Sequence, residues 1–387
     1  MGRRFDLENL LYLIMVFLPS YLLRFKFFGI PTNVLEILIM LAFLLWVVEK
    51  KGRIFSGMKI IDRKYILVIS FIFLGLLISV LANRSYLIGL GIVKGWFLFP
   101  IIFFVVAKDF LAKEKIANMF TALYVSGFLL ALVALVYLFF GKLTFDGRLQ
   151  AFFNSPNYLA MYLAPSLIVG IIRLIQGQRG NKMDPKFNVA SLVVLLVPLY
   201  FTYSYAAWIS VLISLAVVLW IMNFSKKTLL LAVASALLIF LIFTQYQSVK
   251  FNDLINFNQR SSLYSRMMIW KSAGKMLEND WMRGIGPGNF QTIYLDYQKY
   301  YPPYLEWAVP HPHSMYLAFW LYGGFLGLVG FLGLVYFFLR DIFKGDKSPV
   351  RLMALGIMVY FLIHGVFDTT YFKNDLSVVF WMCFLVL

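Results

Sequence analysis

Apolar runs of about twenty residues recur from one end of this chain to the other. A bilayer hydrocarbon core about 30 Å thick takes about twenty residues of helix to cross, so each run is long enough to span it. With 61% hydrophobic and 14% charged residues, the chain reads as a polytopic helical membrane protein, all-α. A β-barrel would instead alternate apolar and polar residues in segments of about ten, and no stretch does so. The basic Met1–Arg4 start followed by an apolar run has no small-residue cleavage site after it and reads as a retained first helix.

About twelve spans are expected, at 10–28, 33–48, 65–82, 86–107, 118–140, 157–175, 187–203, 205–222, 226–246, 313–339, 350–367 and 375–387. The loops between them alternate in charge. Lys50, Lys51, Arg53, Lys59, Arg63 and Lys64 lie in one, and Lys108, Lys113 and Lys115 in another. Further loops carry Arg173, Arg179, Lys182 and Lys186, then Lys226 and Lys227, then Arg340, Lys344, Lys347 and Arg351. With Arg3 and Arg4, about 21 basic residues fall on one side against about six in the short loops of the other. This places both termini in the cytoplasm. It also accounts for the net charge of +17 by membrane topology, which excludes a nucleic-acid partner. The single cysteine, Cys383, excludes a disulfide framework or a CxxC site.

The same assignment leaves Gly141–Pro156, Gln245–Pro312 and Asp368–Asn374 on the outer face. The chain reads as one integral membrane domain, 1–387, with 245–312 as a large outer loop between spans 9 and 10. Chemistry is expected there, since long loops are uncommon unless they work.

In that loop, "SSLYSRMMIWKSAGKMLEND" starts with capping serines. It then sets Leu263, Met267, Trp270, Gly274 and Leu277 on one helical face, with Lys271, Lys275 and Glu278 opposite. Arg266 projects within about 30° of the centre of the apolar face. A guanidinium there either snorkels to solvent or, desolvated and unable to lose its proton, holds an anion. The next stretch, "RGIGPGNF", makes a glycine-rich turn. The backbone of Gly286 and Gly288 can approach a phosphate there, or the turn is only a turn.

In the first outer loop, "GRLQAFFNSPNYLA", Ser155 and Pro156 fit the N-cap and first position of a helix. Arg148 and Asn154 lie just ahead of it and Asn157 in its first turn. The unpaired amides of that helix end attract anions, which makes Arg148 an anion-binding candidate beside the plainer reading of an interfacial arginine.

"VPHPHSMYLAFWLYGGFLG" contains two of the three histidines. The prolines hold the chain extended and put His313 in the first turn of the tenth span, where the helix dipole opposes a positive charge. A neutral imidazole there is a general base by type, or a structural hydrogen-bonding group. His311 is a secondary candidate. His364 and Asp368, four apart, share a helix face and are expected to pair. Lys94, deep in the fourth span, needs a lipid phosphate or a carboxylate partner. There is no P-loop, and no His/Asp/Glu set has metal-ligand spacing, so neither a metal nor another cofactor is expected.

In order, these elements are "GRLQAFFNSPNYLA", "SRMMIW", "GIGPGNF", then His313-Ser314, nine residues, and Gly324-x-x-Gly327. Together they resemble the O-antigen ligase family within the larger group of membrane glycan ligases and polymerases. The sequence departs from the family pattern at "AFFNSPN", where many relatives carry a glycine before the phenylalanine and lack the serine. The resemblance implies a C-type glycosyltransferase architecture with its site at the outer leaflet of the bacterial cytoplasmic membrane. It implies metal-independent, inverting transfer of a glycan from an undecaprenyl diphosphate carrier to an acceptor such as a glycan, lipid A core or protein. By position, His313 matches the family's histidine, proposed as base, and Arg266 and Arg148 match its outer-loop arginines. Two alternatives stay open. One is a polymerase or protein-glycosylating member of the same group. The other is a lipid-linked glycan transporter, which would line a midplane cavity with charges.

Overall fold

The computed structural model describes residues 6–27, 29–50, 61–176, 185–222, 239–259, 261–302 and 309–387. Arg3, Arg4, Lys51, Arg53, Lys59, Arg179, Lys182, Lys226, Lys227 and most of the expected span 226–246 lie outside the described residues. The architecture is helical, in chain order α1 (Leu7–Val16), α2 (Val34–Glu49), α3 (Arg63–Ala82), α4 (Tyr86–Val93), α5 (Phe99–Phe110), α6 (Ile116–Phe139), α7 (Pro156–Ile175), α8 (Pro185–Phe201) and α9 (Tyr205–Ile221). There follow α10 (Val249–Ile255), α11 (Ser262–Asp280), α12 (Phe290–Tyr297), α13 (Met315–Lys344), α14 (Pro349–Phe367) and α15 (Asn374–Met382). Among the described residues, six stretches are long and apolar enough to cross a membrane: Arg63–Ala82, Tyr86–Phe110, Lys113–Phe139, Pro156–Ile175, Met315–Lys344 and Pro349–Phe367. Their apolar faces turn both inward and outward, as a membrane solvent allows.

Two expected spans take other shapes. The first, 10–28, ends as helix at Val16 and continues as a 3₁₀ turn into an antiparallel hairpin, β1 (Arg24–Phe27) with β2 (Ile30–Asn33). The cause is legible in "RFKFFGIPTN". Arg24 and Lys26 would each cost a few kcal/mol in a bilayer, charged and aromatic residues alternate with the strand period, and Gly29 supplies the positive φ of the turn.

The tenth, 313–339, is broken. Gly324 leaves the helical region at φ 62° and ψ −163°, so α13 is two helices, 315–323 and 325–344. Phe319 and Phe331 would lie about 18 Å apart along a straight helix, yet their rings stack with centroids 4.0 Å apart. The short piece therefore folds back on the long one. The long piece, about 30 Å by its length, packs closely on α3. A side chain at Gly75 would overlap the Gly323 carbonyl, and one at Gly330 would meet Val68 and Ile72.

The glycine-rich turn 284–288 is the wedge in this bend. Ile285 N–H donates to Leu321 O at 2.7 Å and Phe325 N–H to Met282 O at 3.1 Å. Gly284 and Gly324 both hold positive φ with each other's backbone in contact, where a Cβ on either would overlap a carbonyl. Gly286 lies against Asn83 and Ser85, and Gly288 against Ile88 and Ile92. The turn so joins α13 to the corner between α3 and α4.

Candidate functional site

Five segments from across the chain meet at one end of the bundle, the first two adjacent in sequence. They are the loop ahead of α7, the first turn of α7, the first half of α11, the approach to α13, and the end of α14. Asp368 is their centre, with a side chain only 1% exposed. It leaves α14 with extended backbone, φ −155° and ψ 175°, which swings its carboxylate off the helix. Asp368 Oδ2 accepts from Asn157 Nδ2 at 3.1 Å and stands 3.9 Å from Arg266 Nη2. Oδ1 accepts the Thr369 N–H at 2.8 Å and lies 3.4 Å from His313 Nδ1. Burial alone would raise its pKa. His313 and Arg266 beside it outweigh that and hold the carboxylate well below the usual range, so it is an anion at physiological pH.

The expected pairing of His364 with Asp368 does not occur. His364 Nδ1 shares a 2.7 Å hydrogen bond with Tyr360 OH inside the bundle. Only the Asp368 backbone N–H reaches the His364 carbonyl. The four-residue spacing puts two side chains on one face only while the helix continues, and here it stops at Phe367.

Each arginine is tied down by part of its guanidinium. Arg266 Nε donates to Phe367 O at 2.6 Å, so it caps the negative end of α14, and its Nη1 donates to Ser262 O at 2.9 Å. Arg148 Nε donates to Thr202 O at 2.8 Å and Nη2 to Asn157 Oδ1 at 2.7 Å. Of five donors each, two are spent on hydrogen bonds to described residues. Both side chains are 15% exposed. Asn157 is the bridge, since its amide accepts from Arg148 and donates to Asp368. Asn154 is exposed and stands apart from these contacts.

α11 enters with a different face than expected. Met268, Ile269, Ser272, Ala273, Met276 and Leu277 are its buried residues, while Met267 is exposed. The inward stripe is thus rotated by about one residue, or about 100°. These buried side chains pack against the bundle, and Arg266 and Trp270 flank the site. Trp270 Nε1 donates to His313 O at 3.3 Å, and its ring packs on Phe367.

His313 precedes the helix it was expected to open. Ser314 is the N-cap of α13, and His313 itself holds φ 45°, strained for a side-chain-bearing residue. Its Nδ1 is in ion-pair reach of Asp368 but not angled for a hydrogen bond, and it is buried without another partner among the described residues. His311, before Pro312, packs edge-on against it with centroids 4.4 Å apart. His311 Nε2 is bonded to Tyr158 OH at 2.9 Å. Burial, with help from His313, pushes the His311 pKa down to about 3, so this ring is neutral.

Residues that sequence reasoning passed over complete the surroundings. Lys373, 9% exposed, sits over the rings of Tyr158, Phe153 and Tyr21 at 3.8, 4.7 and 5.3 Å. Burial lowers its pKa to about 8. Lys94 finds the carboxylate its depth demanded, Glu36 Oε2 at 2.8 Å, at the start of a π turn, Lys94–Leu98. Glu36 is itself buried at the first turn of α2 and also bonded to Thr32 and Asn374. Its only sequence signal was a carboxylate just after a capping asparagine.

His311, His313 and Asp368 offer ligand atoms within 4.8 Å of one another, a grouping the spacing in sequence did not disclose. Their chemistry would suit a divalent ion. The electrostatics argue the other way, since Arg266 stands beside the same carboxylate, with Arg148 one residue further through Asn157, and both repel another cation. What the arrangement suits is a proton acceptor, an aspartate behind it, and two guanidinium groups with unspent donors for an anion.

Residues 190–332 match the family model described as O-Antigen ligase. No curated protein matches the chain. The matched region runs from α8 into the long half of α13, and it carries Arg266, the glycine-rich turn, His311, His313 and the Gly324 bend. Over that region this helical membrane chain is similar to the O-antigen ligase family.

Proposed function

We propose that the chain transfers a glycan from an undecaprenyl diphosphate carrier to an acceptor hydroxyl at the outer face of the bacterial cytoplasmic membrane. The carrying observation is that His313, Asp368, Arg148 and Arg266 share one connected site although they come from segments more than 200 residues apart. Asp368 orients His313 through Nδ1, which leaves Nε2 as the base. Nε2 takes the acceptor O–H proton, and the acceptor oxygen attacks the anomeric carbon. The bond from that carbon to the phosphate oxygen breaks on the opposite face, with inversion. The diphosphate leaves with the electron pair, and the guanidinium groups stabilise its growing charge. No metal or other cofactor enters this scheme. The alternation of Lys- and Arg-rich loops with nearly bare ones along the chain supports the outer side for the site.

The test is incubation of purified protein with a lipid-linked glycan and candidate acceptors in chelator, followed by mass analysis. Transfer is expected to survive the chelator, and His313→Ala is expected to lower it by about 10²–10⁴-fold in a folded protein. Chelator-sensitive transfer would favour the metal reading of His311, His313 and Asp368. Lengthened repeats in place of a single transfer would identify a polymerase with the same chemistry.

A further inference from the structure

The turn between α8 and α9 is short and bent, with Tyr203 at φ 45°, and its carbonyls point into the site region. Three successive ones accept from other segments. Phe201 O takes the Leu149 N–H, Thr202 O takes Arg148 Nε, and Tyr203 O takes the ammonium of Lys250. Two cations from different segments are thereby held by neighbouring peptide units. Lys250 comes from α10, a seven-residue helix in the outer stretch. Its ammonium lies over the Tyr205 ring at 4.9 Å. No carboxylate stands within ion-pair distance of it among the described residues.

This is an unfavourable arrangement unless something negative joins it. Arg148, Arg266 and Lys250 are mutually repulsive and largely withdrawn from water. They face one buried carboxylate, Asp368, and one at the rim, Asp146, which is 40% exposed. A diphosphate esterified at both ends carries two negative charges, which would bring the buried set to neutrality. Among the described residues, Lys250 also spends only one of its three donors on a hydrogen bond.

Resting on the function proposed above, we propose that Lys250 is a third cation of the donor site and binds the diphosphate oxygens together with Arg148 and Arg266. Its surroundings make the contact depend on pH. Burial first, then repulsion by Arg148 and Arg266 against the weaker pull of Asp146, lowers the Lys250 pKa to about 7. A bound diphosphate favours the charged form and raises it. Below about pH 7 the ammonium is charged with or without donor, and affinity does not change with pH. Above it the free protein has lost the proton and must regain it on binding, so affinity falls by up to tenfold per unit.

The test is binding of an undecaprenyl diphosphate monosaccharide to full-length protein in nanodiscs between pH 6 and 9. Wild type is expected to bind progressively more weakly above pH 7. Lys250→Arg, whose charge persists, is expected to stay tight and level across the range. Lys250→Met is expected to bind about tenfold or more weakly at pH 6 and to show no slope. A Lys250→Met protein with wild-type affinity and slope overturns the inference, and so does a level wild-type curve with measurable binding. Absence of any wild-type binding would overturn the diphosphate site itself, a different failure from the first two.

Discussion

Asp368 carries more of this site than its place in the sequence suggests. It holds Asn157 by a hydrogen bond, stands beside Arg266, and lies in ion-pair reach of His313. Replacing it by Asn removes the charge that orients and stabilises the imidazolium formed during proton transfer while it keeps the shape. Asp368→Asn is therefore expected to lower kcat by about 10²–10⁴-fold. Donor KM should hold or improve, because a competing anion has left the arginines. Steady-state kinetics separate the two constants, and a kcat within twofold of wild type would contradict the role. Sequence reasoning named Asp368 but gave it the wrong partner. Periodicity describes neighbours on a continuing helix, whereas this residue is the first to leave one. Arg266 was legible because a permanent charge on an apolar helix stands out. Lys250 was not, since one lysine in a polar loop carries no signal until the carbonyls around it are known.

At the level of elements, the spacing from His313-Ser314 to Gly324 has a mechanical reading. The nine residues between are the short helix 315–323, and Gly324 is the bend that lays it back across 325–344. That bend, wedged by the turn at Gly284, presents His313 to the end of α14. Gly324→Ala would force a Cβ into the Met282 carbonyl at a φ that L-residues resist. It is expected to lower the thermal midpoint in detergent by several degrees and to lose most transfer activity, because His313 moves with the helix it precedes. A variant with unchanged melting and unchanged activity would show that the bend is not needed. Gly91, with open space around its missing Cβ, is the control, since Gly91→Ala in α4 is expected to be silent. The two glycine motifs were visible in the sequence as motifs. That they dock on each other was not, because nothing in either reveals the other's backbone.

For the whole molecule, the outer placement of the site is open to a direct check. Cys383 is fully buried, so the native chain should be silent to a membrane-impermeant maleimide. Lys275→Cys, on the exposed side of α11, is expected to label in intact spheroplasts, whereas Lys347→Cys, between α13 and α14, should label only after lysis. The reverse pattern would place the candidate site in the cytoplasm and end the proposed function. Fold class and most helix positions were written in composition, apolar run length and capping residues, which act locally and survive any arrangement of the chain. The hairpin at 24–33, the fold-back at Gly324 and the gathering of His313, Asp368, Arg148 and Arg266 were decided by tertiary structure. They depend on which helix ends meet. That is set by close backbone packing at glycines and by a few buried charges that must find each other, Lys94 and Glu36 among them.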